Sequence, residues 1–247
     1  MSETPARDRV VVVTGGSRGI GLAIAEALAA DGHRVVAVAR RSSEALEAAA
    51  GKAEGRIRFE PCDLAELDAL QPLAQKIRAA HGPVYGLVNN AALGTPGLLA
   101  TMPATEIARL VHLNTVAPMV LTKLLVRGMM AKGAGRVVNV SSIIAFTGYN
   151  ALSVYAATKA SMIGFTRSLA REVGKLGVTV NAVAPGFVET ALTEGMGADD
   201  LAKIAGRSAL RRLVEPRDVA DAVAFLVSDR ARNVTGTVLT VDAGSTA

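Results

Sequence analysis

Val10-Val11-Val12-Val13-Thr14-Gly15-Gly16-Ser17-Arg18-Gly19-Ile20-Gly21 is the stretch from which the rest of the chain is read. Four consecutive valines without polar alternation suit a strand buried on both faces, as in a parallel sheet covered by helices. Leu22 to Ala30 is Ala/Leu-rich and ends at Asp31-Gly32, the pattern of a helix with a glycine after its last turn. Between them lies a glycine turn that opens a helix, and the first N–H groups of a helix have no internal partners and attract anions. Phosphate is the expected guest. The competing reading is a tight strand-to-helix turn that binds nothing. The spacing is T-G-x-x-x-G-x-G, and the usual G-x-G-x-x-G fingerprint fits it in no register.

The 247 residues show no Pro/Ser-rich linker or composition break, which predicts a single domain over 1–247. Half are hydrophobic, with 24 Gly and no Trp, so Ala, Val, Leu and Ile must build the core. The one cysteine, Cys62, cannot form an intrachain disulfide, and Met1 to Arg9 is polar and charged, unlike a signal peptide. No apolar run reaches the about 18 residues of a membrane helix. The chain is therefore expected to be soluble and cytoplasmic. Its net charge of +5 and pI near 9.7 come from Lys and Arg scattered without interleaved aromatics, which reads as a solvated surface and ranks nucleic-acid binding last.

Further strands are expected at Arg34–Ala39, Ile57–Phe59, Val84–Val88, Val137–Val140, Val178–Val183 and Gly236–Val241, alternating with helical segments. Ser42 and Ser43 are N-cap candidates for a helix through Ala50. Asp63 precedes a helix that runs to Ala80. Thr105 to Met130 is helix-patterned but holds Pro118 four residues after Asn114, so it should be kinked or opened there. Asn114 then either holds a water at the irregular turn or merely caps it. Ile143 to Leu152 reads as a loop, and Ser153 as the cap of a helix through Lys175 that carries Tyr155 and Lys159 on one face. Alone, that pair fits an exposed, solvated face equally well. Glu215-Pro216-Arg217-Asp218 starts a last helix with proline in its first turn.

Taken together, Thr14 to Gly21, Asn89-Asn90-Ala91-Ala92, Asn114, Ser142 and the Tyr155-x-x-x-Lys159 pair resemble the short-chain dehydrogenase/reductase family in order and spacing over essentially the whole chain. Ala92 stands where members usually carry glycine. The resemblance implies an α/β fold: one doubly wound Rossmann-type domain, with a seven-stranded parallel sheet and helices on both faces. It also implies a nicotinamide dinucleotide held by Gly15, Ser17, Arg18, Gly19, Ile20 and Gly21, by Asp63 and Leu64 at the adenine, and by Asn90, Ala91, Ala92, Tyr155 and Lys159. Pro185, Gly186, Val188 and Thr190 would embrace the nicotinamide. Arg40 and Arg41 follow the second strand where arginine accommodates the 2′-phosphate of NADP, and Ala39 takes the place of the aspartate of NAD-preferring members. With Arg18 they point to NADP(H); otherwise they simply solubilise a strand end.

The same resemblance assigns catalysis to Asn114, Ser142, Tyr155 and Lys159, with no metal. Reduction of a carbonyl places negative charge on oxygen and requires a proton there. A phenol ordinarily titrates near 10, so exchange near neutrality asks for about three pH units of stabilisation, about 4 kcal/mol. Lys159 one turn away is expected to supply part of it and the cationic oxidised nicotinamide more, with Lys159 also binding the ribose hydroxyls. Ser142 would hydrogen-bond the substrate oxygen, and Asn114 would hold a proton-relay water. Ala156-Ala157-Thr158-Lys159-Ala160 and Ala184-Pro185-Gly186-Phe187-Val188-Glu189-Thr190 look most like the bacterial 3-oxoacyl-acyl-carrier-protein reductases. That implies an acyl-thioester substrate, an acidic carrier protein as partner, and a homotetramer or homodimer. Lys132 and Lys175 are the basic residues expected near the site mouth.

Residues 187–210, with Gly195, Gly197 and little periodicity, read as a substrate lid or as a surface insertion. Two other functions remain open on sequence: an NAD(P)-dependent dehydrogenase of another secondary alcohol, sugar or steroid, and a non-catalytic nucleotide sensor on the same fold.

Overall fold

The valine runs form the middle of the sheet. In a computed structural model, which describes residues 8–188 and 197–247, the elements alternate in chain order as β1 (Val10–Thr14), α1 (Gly19–Ala30), β2 (Arg34–Ala39), α2 (Glu44–Lys52), β3 (Ile57–Pro61), α3 (Leu67–His81) and β4 (Val84–Asn89). Then follow α4 (Ala104–Val111), a π-helical turn (His112–Val116), α5 (Ala117–Lys132), β5 (Gly135–Val140), α6 (Ile144–Thr147), α7 (Ser153–Val173), β6 (Val178–Pro185), α8 (Ala198–Arg207), α9 (Pro216–Val227) and β7 (Val238–Val241). The seven strands pair in the order β3-β2-β1-β4-β5-β6-β7, and every pairing is parallel.

Consecutive valines serve both faces because strand side chains alternate in direction. Val11 and Val13 join Val35, Ala37, Ile24 and Leu28 beneath α1 and α9. Val10 and Val12 join Val36, Val38, Leu87, Leu121 and Leu125 beneath α3 and α5. All four valines are buried, each contributing about 1.5–3 kcal/mol relative to an exposed side chain. The architecture is the expected single Rossmann-type α/β domain.

The chain proceeds from β1 outward to β3 and then returns to β4 on the other side of β1. Such a reversal leaves a crevice at the C-terminal ends of the two strands, where ligands of open α/β sheets bind. Thr14 seals its floor: its hydroxyl accepts the N–H groups of Asn90 (2.9 Å) and Ala91 (3.1 Å) and donates to the Val88 carbonyl (3.2 Å).

Several local expectations are corrected. Ser153 is the first helical residue of α7, with Leu152 before it as the N-cap. The segment 143–152 holds the short α6 rather than loop alone. Within 187–210, Ala198–Arg207 form the helix α8, and 189–196, with Thr190, lie outside the described residues. Pro118 breaks the helix as expected, giving a π-helical turn in which the Ala117 N–H donates to the His112 carbonyl. Proline offers no N–H to the Asn114 carbonyl four residues earlier. No helix among the described residues is long and apolar enough to cross a membrane.

Candidate active site

The glycine turn is shaped for a close guest. Gly15 and Gly19 take positive φ, 67° and 55°, which favours glycine. A Cβ on Gly21 would sit 2.1 Å from the Gly15 carbonyl oxygen and 2.6 Å from Asn90 Nδ2, so helix and strand meet where only hydrogen fits. Asn90 Nδ2 donates to the Thr14 carbonyl at 3.0 Å and reaches that of Gly15 at 3.4 Å, joining the turn to the end of β4. Arg18 is the N-cap residue of α1 and contributes no side-chain cap, which leaves the first-turn N–H groups for a ligand.

Ser43 caps α2 through the Leu46 N–H (3.1 Å) and donates its hydroxyl to the Ser17 carbonyl (2.5 Å). The tie draws the turn against the segment that bears Arg40 and Arg41. Arg18, Arg40 and Arg41 are exposed, and none of their guanidinium groups forms a hydrogen bond or ion pair with another described residue. Unpaired guanidinium groups beside a phosphate cradle fit a 2′-phosphorylated dinucleotide.

Asp63 accepts the Ala65 N–H at 3.0 Å, a local turn that leaves its second oxygen uncommitted. Leu64 is buried, and Ala91 and Ala92 are half-buried along the same edge. Gly186 follows β6, where a Cβ would lie 2.8 Å from the Asp242 backbone. Val188 bridges Val214.

Ser142, Tyr155 and Lys159 converge at the C-terminal ends of β5 and β6. Ser142 is buried just beyond β5; its Oγ accepts the Ile144 N–H at 3.3 Å and hydrogen-bonds the half-buried Tyr155 phenol. Lys159 is 4 % exposed. Its Nζ donates to the Val140 carbonyl at 2.8 Å and lies 5.7 Å from the centroid of the Tyr155 ring. The Ser141 hydroxyl in turn donates to the Lys159 carbonyl at 2.8 Å, so the end of β5 grips the helix at this residue.

Among the chain's own groups, burial sets the electrostatics of this pair. Burial pushes Tyr155 up to about 12, against a smaller downward pull from the Ser142 hydrogen bond. Burial also brings Lys159 down to about 8. Both shifts have one cause: a packed surrounding solvates a charge poorly, so each group prefers its neutral form. The ammonium is held 5.7 Å from the ring centroid by its bond to a backbone carbonyl.

Asn114 is buried in the π-helical turn, and its amide is largely occupied. Oδ1 accepts the Leu93 N–H and Nδ2 donates to the Leu93 carbonyl, each at 2.8 Å, while Nδ2 also donates to Thr158 Oγ1 at 3.1 Å. The side chain braces the stretch after β4. Leu93, Ser141 and Thr158 are site residues that sequence reasoning missed; Thr14 stood in the glycine motif and Ser43 among the N-cap candidates, without the ties to Asn90, Ala91 and Ser17 seen here. Thr158 had a signal too, being a hydroxyl three residues after Tyr155 on the same helix.

Lys132 and Lys175 do not rim this site. They precede β5 and β6, whose first residues Gly135 and Val178 pair in register, at the opposite edge of the sheet within the chain.

The family model described as enoyl-(acyl carrier protein) reductase matches residues 15–246. The chain is 39% identical to the 3-oxoacyl-[acyl-carrier-protein] reductase FabG of Escherichia coli (strain K12), over 96% of each chain. It is 38% identical to the enzyme of the same name from Haemophilus influenzae, over 96% of this chain and 97% of that one. A third relative, nodulation protein G of Rhizobium sp. (strain N33), is 37% identical over 96% of each. With the phosphate cradle at β1, the hydroxyl pair at β5 and α7, and these likenesses over nearly its full length, the chain belongs to the short-chain dehydrogenase/reductase family.

Proposed function

We propose that this oxidoreductase reduces the ketone of a 3-oxoacyl thioester to a hydroxyl at the expense of NADPH, with Tyr155 as proton donor. The observation that carries the reading is the Ser142–Tyr155 hydroxyl pair, set beside buried Lys159 at the edge of the sheet that bears the phosphate cradle.

NADPH, when bound, supplies the hydride. The chain's own groups handle the oxygen that receives negative charge. Ser142 donates a hydrogen bond to it, and Tyr155 Oη delivers the proton. A phenol near 12 is fully protonated at neutral pH, as an acid must be before it acts. An alkoxide is a far stronger base than a phenolate, so the transfer runs downhill even from this weakened acid. Reduction starts from this protonated phenol and oxidation from the phenolate, whose formation burial opposes. Lys159, with its pKa near 8, is mostly cationic at pH 7 and would hold ribose hydroxyls. Gly15, Ser17, Gly19, Ile20 and Gly21 would take the pyrophosphate, Arg18, Arg40 and Arg41 the 2′-phosphate, Asp63 and Leu64 the adenine, and Asn90 to Ala92 the adjoining ribose. Pro185, Gly186 and Val188 would wall the nicotinamide.

An acyl carrier protein is the thioester's proposed bearer, a reading supported by the activity for which the Escherichia coli and Haemophilus influenzae relatives are named. The test is spectrophotometric: NADPH consumption with an acetoacetyl thioester, compared with NADH and with Tyr155→Phe. Turnover of the Phe variant should fall by at least about a hundredfold while NADPH still binds. Near-normal turnover in that variant would remove Tyr155 from the reaction.

A further inference from the structure

We infer that Thr158 is a positioning residue that locks Tyr155 to the π-helical turn and to the strand end beside the dinucleotide cradle. The inference rests on the reading of Tyr155 as proton donor and adds a residue to it. Thr158 is 2 % exposed and touches none of the reacting groups through its hydroxyl. Its Oγ1 donates to the carbonyl of Tyr155 at 2.7 Å and accepts from Asn114 Nδ2 at 3.1 Å.

A threonine hydroxyl has one proton and two lone pairs. The proton is committed to Tyr155, so toward Asn114 this oxygen acts only as acceptor. Asn114 in turn clasps both backbone groups of Leu93, three residues beyond Asn90. The result is a continuous series of short hydrogen bonds from the Tyr155 backbone through Thr158 and Asn114 to the segment following β4. A second bridge lies one residue on in the turn and three on in α7: Thr115 Oγ1 and Ser161 Oγ are 3.0 Å apart, and Ser161 donates to the Thr158 carbonyl at 2.6 Å. Helix α7 is thus held to the turn by two hydroxyl bridges, and only the one at Thr158 reaches the carbonyl of the proton donor.

Back-bonding threonines inside helices are ordinarily local and slightly unfavourable. Here the same hydroxyl is shared with a second element, so removing it frees the first turns of α7 to shift against β4. A displacement of a fraction of an ångström at Oη is costly in a reaction that depends on alignment.

Thr158→Val keeps the shape and removes both bonds. We expect kcat with an acetoacetyl thioester to fall at least about tenfold, with the NADPH KM within about twofold. Thr158→Ser, which retains the hydroxyl, should restore kcat. The inference is overturned if Thr158→Val keeps its kcat, if the NADPH KM rises in proportion to the loss in kcat, or if kcat falls only in step with thermal stability and serine does not restore it. Should the valine variant not fold, Thr158→Ala, the smaller truncation, takes its place: an unchanged kcat overturns the positioning role, and a tenfold loss restored by serine supports it. Tyr155→Phe runs alongside: normal turnover there defeats the donor assignment itself, whereas a dead Phe variant beside a fully active Thr158→Val defeats only the positioning role.

Discussion

Replacing Lys159 by methionine should make the protein less sensitive to pH, and the size of the effect follows from where the ammonium sits. Lys159 is buried with the Val140 carbonyl as its hydrogen-bond partner at 2.8 Å, and its pKa falls from the ordinary 10.5 to about 8. That interval, at about 1.4 kcal/mol per pH unit, is a cost of about 3 kcal/mol. Below pH 8 both folded and unfolded chains carry the proton and the whole cost is present. Between 8 and 10.5 the unfolded chain binds more protons than the folded one, so stability rises with pH. The cost is about 3 kcal/mol at pH 7 and about 1 kcal/mol at pH 10. Methionine fills a similar volume and has nothing to titrate. It loses the bond to Val140, about 1–2 kcal/mol, by the same amount at every pH.

The advantage of the methionine variant over the parent should therefore shrink by about 2 kcal/mol from pH 7 to pH 10, about 4–8 °C in melting midpoint for a chain of this size. Scanning calorimetry at four pH values, at one protein concentration and without nucleotide, reads it directly. Tyr155, near 12, stays outside this window, and groups common to both proteins cancel in the difference. A gap that stays constant or widens toward pH 10 would refute the assignment of a desolvated ammonium.

Arg40→Ala with Arg41→Ala should raise the NADPH KM by at least about tenfold, since each charge-assisted phosphate contact contributes about 1.5–3 kcal/mol. The NADH KM should change little; equal changes for both nucleotides would place the 2′-phosphate elsewhere. Gly21→Ala should destabilise the fold by about 1–3 kcal/mol and weaken binding of either nucleotide. The new methyl would lie 2.1 Å from the Gly15 backbone oxygen, which cannot swing aside as a side chain could. A variant with the parental melting point and nucleotide affinity would contradict that packing.

Much of this site was legible because its parts are local. A run of valines, a glycine turn, and a proline four residues beyond an asparagine each constrain the backbone within one turn or strand, and the strand and helix positions follow. The family resemblance then ordered Ser142, Tyr155 and Lys159. Spacing was silent where distance mattered. One helical turn separates Tyr155 from Lys159, and that spacing suggested an ammonium acidifying the phenol; it carries no information about the Val140 carbonyl nineteen residues upstream, which captures Nζ. Lys132 and Lys175 were likewise expected at the site mouth, yet they lie at the opposite end of parallel strands.

The sequence by itself determined the order of strands and helices, the phosphate-binding turn, the break at Pro118 and the roster of hydroxyl, phenol and ammonium groups, because dihedral preference and side-chain chemistry belong to each residue and its near neighbours. Only the tertiary structure decided which of those groups are desolvated and to whom they are bonded. The upward shift of Tyr155, the downward shift of Lys159 and the Leu93–Asn114–Thr158 brace arise from residues far apart in the chain. Solvation and hydrogen-bond partnership are properties of the packed neighbourhood, which exists only once the sheet has closed beneath its helices.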